Sequence, residues 1–226
     1  YKQTAWGESV IESILYVLWD LRLKIGYSVR TVDDCIRLGK ADFTIRTALL
    51  ENRYLSGEQY LQTNLEKRLW KELFQNSGPE FIEAKLEERT DRHFRQGGAR
   101  YMVEPNVKEG KGGLRDLQAL YWITKYLYKT SSKRKLISAG VFSKEESLIF
   151  KNAENFLWSV RCALHLISNR AGEQLTFNTQ VELAKRFGFS DKNGMRGVEI
   201  FMQAYFIHAK NVGDLTRIFL TALESN

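Results

Sequence analysis

Proline, cysteine and histidine are scarce in this 226-residue chain, with two, two and three copies respectively. The prolines are Pro79 and Pro105, so long stretches are free of the residue that breaks helices. Cys35 and Cys162 stand far apart. With so few histidines they give neither zinc-ligand spacing nor a disulfide framework. A reducing cytoplasm is the simplest compartment for such a chain. No apolar run approaches the roughly 20 residues of a membrane-spanning helix, and no signal peptide is visible. Membrane spans and disulfide-stapled scaffolds are therefore excluded as classes.

The chain does have the makings of a core and an excess of positive charge. Its hydrophobic share is 43% and its charged share 27%, as in globular proteins. The net charge of +7 favours an anionic partner, whether a nucleotide, a nucleic acid or an acidic protein. Much of the charge is dispersed. Arg89, Arg92, Arg95 and Arg100 alternate with Glu87, Glu88 and Asp91, which reads as a solvated helix face. The run Lys129 to Lys135 reads as a basic loop between helices.

Apolar periodicity predicts a mainly α protein, a helical bundle, with a small α+β portion at the N-terminus. Ile11, Ile14, Leu15, Leu18 and Leu21 form one helical stripe. Ile25, Tyr27, Val29 and Thr31 then alternate with smaller or polar residues, which predicts one short strand. Thr31 followed by Asp34 signals a helix start, with a helix over 32–40. Further helices are expected over 42–56, 58–75, 80–95, 114–128, 143–168, 179–188 and 195–224. Ser143 with Glu146 has the spacing of a capping box. The aromatic residues on these stripes read as core. A lone strand cannot satisfy its own backbone groups, so its partner is expected either in a segment read here as helix or in sequence that this chain lacks. The chain opens at Tyr1 without an initiator methionine and reads as a fragment.

The segment Glu104 to Asp116, EPNVKEGKGGLRD, is the richest in chemistry. Gly110, Gly112 and Gly113 stand among Lys108, Lys111 and Arg115, immediately before a predicted helix. Glycines admit close backbone approach, a helix N-terminus attracts anions, and the three cations suit phosphate. The pattern is a candidate polyanion cradle, though it matches neither of the familiar nucleotide-binding glycine motifs. A glycine-rich turn with a solvated charge cluster is the competing reading.

Several stretches together resemble the bacterial protein-PII uridylyltransferase family. They are LYVLWDL at 15–21, KIGYSVRT at 24–31, DFT at 42–44, TALLENR at 47–53 and the 104–116 loop. FLWSVR at 156–161 with Leu164-His165, and VEIFM at 198–202 with Tyr205 close behind, continue the match in the same order. The resemblance implies a bifunctional nitrogen sensor that transfers uridylyl groups from UTP to a tyrosine of PII and removes them hydrolytically. It implies glutamine control, and Mg2+ or Mn2+ for the transfer. It further implies that residues 1–57 close a nucleotidyltransferase domain and that 58–226 form the helical domain beside it.

The family's Gly-Gly turn and metal-binding Asp-x-Asp pair have no counterpart in this sequence, and no metal ligand is assigned within it. His93, His165 and His208 do not make the adjacent His-Asp pair of the family's hydrolase domain and read as structural. Related transferases carry a third carboxylate on a later strand. The matching segment here offers Ser28, which leaves Asp42 as the nearest candidate, with helix capping as its alternative role. Arg30 is a candidate phosphate contact, with a surface ion pair as its alternative. Lys108, Lys111 and Arg115, with Gly112 and Gly113, are candidates for binding the nucleotide phosphates. Glu104, Asn106 and Asp116 are expected to support them, the two acids by holding those cations. Competing functions are a sister signalling nucleotidyltransferase with another target, or a basic helical binding module. The second predicts a nucleic-acid recognition motif or clustered cations with stacking aromatics, and the sequence has neither.

Overall fold

Thr31 and Asp34 close a reciprocal capping box, Asp34 N–H to Thr31 Oγ1 at 3.0 Å and Thr31 N–H to Asp34 Oδ2 at 3.3 Å. The sequence spacing is thereby realised as the start of a helix. These contacts come from a computed structural model, which describes residues 4–98, 101–130, 133–138 and 140–224. Arg100 of the interleaved charges, and Ser131 and Ser132 of the basic run, lie outside the described residues. The chain divides into two units, Tyr1–Ser77 and Gly78–Asn226. The break falls later than the boundary at 57 and 58 drawn from sequence.

The first unit holds α1 (Ala5–Asp20), α2 (Val32–Ala41), α3 (Phe43–Leu50) and α4 (Gln59–Arg68). α4 runs directly into a π-helical turn, Leu69–Phe74. Ile36, Leu49, Leu50, Leu69, Leu73 and Phe74 form its core. Arg46 is buried and turned back on α2, its Nε donating to Gly39 O at 2.8 Å and its Nη2 to Lys40 O at 3.1 Å. It thus satisfies carbonyls at the end of α2 that no helical N–H can reach. α3 stops at Leu50 rather than near 56, where Asn52 turns its side-chain amide onto Leu49 O.

One sequence expectation fails in this unit. Residues 23–30 form neither helix nor strand, so the small α+β portion is not realised among the described residues. A strand needs a neighbour for its N–H and C=O groups, and among the described residues no backbone hydrogen bond joins 24–30 to another segment. The helical stripe expected at the N-terminus forms on α1, with Ile11 and Leu18 half-buried. Leu15 alone among its residues is buried, whereas Ile14 is 57% and Leu21 65% exposed.

The second unit holds α5 (Gly78–Arg95), α6 (Leu114–Tyr128), α7 (Lys133–Ser138), α8 (Lys144–Ser168), α9 (Phe177–Arg186) and α10 (Gly197–Glu224). α7 begins at Lys133, inside the basic run Lys129 to Lys135 that was expected to be loop. α10 packs along α8, α9 and α6, and carries Phe201, Tyr205, Ala209, Val212, Leu215 and Phe219 into the core. Their spacing follows the 3.6-residue period of one helix face. Leu157, Val160 and Leu164 of α8 meet the same core, whereas Leu148, placed on that stripe from sequence, is exposed. Phe81 of α5 stacks on Tyr126 of α6 with ring centroids 4.0 Å apart. No helix among the described residues is long and apolar enough to cross a membrane.

Candidate functional site

The loop from Glu104 to Gly113 is laced to its surroundings by backbone pairing. Val107 N–H donates to Glu173 O and Leu175 N–H to Pro105 O, both at 2.9 Å, across an antiparallel bridge between Asn106 and Gln174. Asn106 Oδ1 accepts from Lys108 N–H at 3.0 Å and Glu109 N–H at 2.7 Å. This is the side-chain turn that makes asparagine useful in such loops. Glu104 Oε1 accepts from Phe177 N–H at 2.8 Å, at the start of α9.

The glycines answer to packing. A β-carbon on Gly110 would lie 2.5 Å from Asn106 O, and one on Gly113 2.8 Å from Val107 O. Gly112 has φ +82°, and a β-carbon there would lie 2.2 Å from Ala209 O of α10. Their amides are also occupied. Gly110 N–H donates to Asn106 O, Gly113 N–H to Gly110 O and Gly112 N–H to Asp116 Oδ2. Leu114 and Arg115 N–H, which open α6, donate to Val107 O and Lys108 O. Backbone donors of Gly112 and Gly113 are therefore spent on Asp116 and Gly110.

Beneath the loop lies a charged cluster built from α5. Asp116 is fully buried. Its Oδ1 receives Arg92 Nη2 at 2.5 Å, and His93 Nε2 lies 2.9 Å from both carboxylate oxygens. Arg89 Nε approaches to 3.4 Å. Burial pushes the Asp116 carboxyl up. The His93 hydrogen bond, the charges of Arg89 and His93, and the Gly112 N–H together outweigh it and hold the group below the ordinary carboxylate range. A neighbouring pair repeats the pattern, with Arg161 gripping Glu173 through Nε at 2.9 Å and Nη2 at 2.8 Å.

Asp116 holds Arg92 and His93, which sequence reading had left to a solvated face and to a structural role. Glu104 secures the start of α9. Glu109, unassigned from sequence, lies beside Lys108 and Arg115 at 3.5 and 3.4 Å. Arg89, Arg92 and His93 follow at i, i+3 and i+4, so they share one helix face. That spacing, set against an aspartate in the next helix, was the available signal. Lys111 lines a small cleft with Glu104, Asn106, Gln174 and Tyr205.

The first unit holds Arg30 and Asp42. Arg30 lines a cleft of about 690 Å³ with Arg53, Cys35 and Tyr54. Asp42 Oδ1 accepts from Thr44 N–H at 2.6 Å and Ile45 N–H at 3.0 Å, capping α3.

Residues 80–220, nearly all of the second unit, match the family model described as GlnD PII-uridylyltransferase. The chain belongs to this family. Two curated relatives named bifunctional uridylyltransferase/uridylyl-removing enzyme extend the likeness to the first unit. The one from Cereibacter sphaeroides is 60% identical over 225 residues, covering 100% of this chain and 24% of the relative. The one from Ruegeria pomeroyi is 62% identical over 225 residues, covering 100% of this chain and 25% of the relative. The chain thus spans about a quarter of the length of the uridylyltransferases it resembles. No solved structure matches it.

Proposed function

We propose that the polypeptide containing this chain transfers uridylyl groups from UTP to a tyrosine of the PII signalling protein, and removes them again. It does so in the cytoplasm, under glutamine control, with diphosphate as the leaving product of transfer. Identity of 60% to a bifunctional uridylyltransferase/uridylyl-removing enzyme along the whole chain carries this reading.

In this reading residues 1–57 complete the nucleotidyltransferase domain and the helical remainder borders the UTP site. The exposed apolar side chains of α1, among them Trp6 at 78% and Val17 at 59%, support that placement of the first segment. Such surface suits burial against further protein. Lys108, Lys111 and Arg115 contribute positive charge towards the nucleotide phosphates, where transfer depends on positioning and charge stabilisation. Arg30, in the cleft of the first unit, is a candidate phosphate contact there.

Transfer of this kind draws on Mg2+ or Mn2+ to bridge phosphate oxygens. The described residues do not fit that ion: no three His, Cys, Asp or Glu side chains are grouped to hold it. Asp42, committed to capping α3, is the weakest of the candidates. Glutamine sensing and uridylyl removal belong to other parts of the polypeptide.

The test is transfer of label from UTP to PII with Mg2+ present. The full-length polypeptide should label PII, and the 226-residue chain alone should not. Failure of the full-length protein overturns the proposed activity. Turnover by the isolated chain overturns the assignment of the metal ligands elsewhere.

A further inference from the structure

Glu109 stands where three cations converge. Lys108 Nζ lies 3.5 Å and Arg115 Nη2 3.4 Å from its Oε1, and Arg92 Nε lies 3.8 Å from its Oε2. Each separation exceeds the roughly 2.7–2.9 Å of a well-formed charge-assisted bond. The neighbouring pairs show what close fitting looks like here, with Arg92 to Asp116 at 2.5 Å and Arg161 to Glu173 at 2.8 Å.

Arg92 is 6% exposed, and its Nε is buried without a hydrogen-bond partner, as is the Nε of Arg89. A buried charged donor left without an acceptor is costly, so such atoms call for an explanation. Among the described residues, the acids paired with Arg89, Arg92, Lys108 and Arg115 are Glu109 and Asp116. Asp116 has no exposed side-chain surface, and its oxygens are taken by Arg92, His93 and the Gly112 N–H. The Glu109 side chain is 27% exposed and makes only long contacts. Of the two acids, Glu109 is the one free to leave.

We propose that Glu109 is a placeholder carboxylate, standing where a phosphate group of a nucleotide di- or triphosphate binds. The phosphate displaces it from Lys108, Arg115 and Arg92. This rests on the reading that the loop faces UTP. A phosphate offers three oxygens and more charge than a carboxylate, so it satisfies donors on three sides that two oxygens reach poorly. The Arg115 fork and the Lys108 point charge suit that geometry. Until the nucleotide arrives, Glu109 keeps the cations from repelling one another.

Calorimetric titration of the 226-residue chain with inorganic triphosphate tests this. Glu109→Gln should bind roughly tenfold more tightly than the natural chain, the scale of one charge-assisted contact. Glu109→Asp withdraws the same charge by one methylene and should tighten binding by a smaller factor, which keeps the test open if the glutamine variant fails to fold. Glu182→Gln, on an exposed face of α9, removes equal charge and should leave affinity unchanged. Lys108→Gln and Arg115→Gln should each weaken binding roughly tenfold. If those two weaken binding while the Glu109 variants bind no tighter, the placeholder is overturned and the loop's anion role stands. Equal tightening by Glu182→Gln also overturns it, as a bulk charge effect. If the natural chain and every folded variant fail to bind triphosphate, both readings fall.

Discussion

The α-carbon of Gly112 rests against the backbone of Ala209, so that a β-carbon would lie 2.2 Å from the Ala209 carbonyl oxygen. This contact ties the loop before α6 to the middle of α10. Backbone cannot yield as a flexible side chain can, and φ at Gly112 is +82°. Gly112→Ala should therefore cost about 2–4 kcal/mol, from overpacking and left-handed strain together. Urea unfolding of the two chains measures it. A loss below about 0.5 kcal/mol, the scale of a neutral surface change, would show that the loop is not clamped there.

Asp116 binds its partners in a buried setting, so removing its charge should be severe. Asp116→Asn leaves Arg92 and Arg89 without their counter-charge and should cost about 3–5 kcal/mol near neutral pH. The pH dependence has a definite sign. The folded carboxyl is held below the unfolded value of about 3.9, so its contribution is complete above that value. It is lost as the pH falls through the folded-state pKa. The gap between natural chain and variant should narrow under acid. A gap that widens on acidification would contradict this account.

The apolar face of α1 makes a prediction about context. Ile14 is 57% exposed. Ile14→Glu in the 226-residue chain should shift stability by no more than about 0.5 kcal/mol. In the full-length polypeptide the proposed domain reading buries this face, and the same change should cost about 2 kcal/mol or more. Equal effects in the two settings, measured by thermal unfolding, would argue that nothing covers α1.

Local signals were the legible ones. The Thr31 to Asp34 and Ser143 to Glu146 spacings both became reciprocal capping boxes, because caps depend on residues three apart. Leu114–Tyr128 was bounded correctly by the glycines before it and the left-handed Lys129 after it. Pairing at longer range was not legible. Ile25 to Thr31 has strand periodicity, but forming a strand depends on a neighbour that periodicity does not reveal. Arg92 looked solvated because acids stand near it in sequence, and His93 read as structural without a partner in view. Their burial comes from Asp116, more than twenty residues away. The close contacts of the loop glycines with Asn106, Val107 and Ala209 were not legible either, because they too depend on packing.

Lys108 and Arg115 carry the testable part of the proposed anion role. Arg115 is anchored by Gln118, its Nη1 donating to Oε1 at 2.8 Å, while its Nη2 has only the long contact to Glu109. Lys108 is likewise held loosely, at 3.5 Å from the same carboxylate. Neither side chain is needed to close the buried network around Asp116, so substitution should spare the fold. In the full-length polypeptide, Lys108→Ala or Arg115→Ala should lower kcat/KM for UTP in PII labelling by about 1.5–3 kcal/mol, or roughly one to two decades. Uridylyl removal should continue, because that chemistry is assigned to another part of the polypeptide. Unchanged transfer kinetics with a lowered Tm would make both cations structural. Parallel loss of transfer and removal would instead point to a general defect in folding.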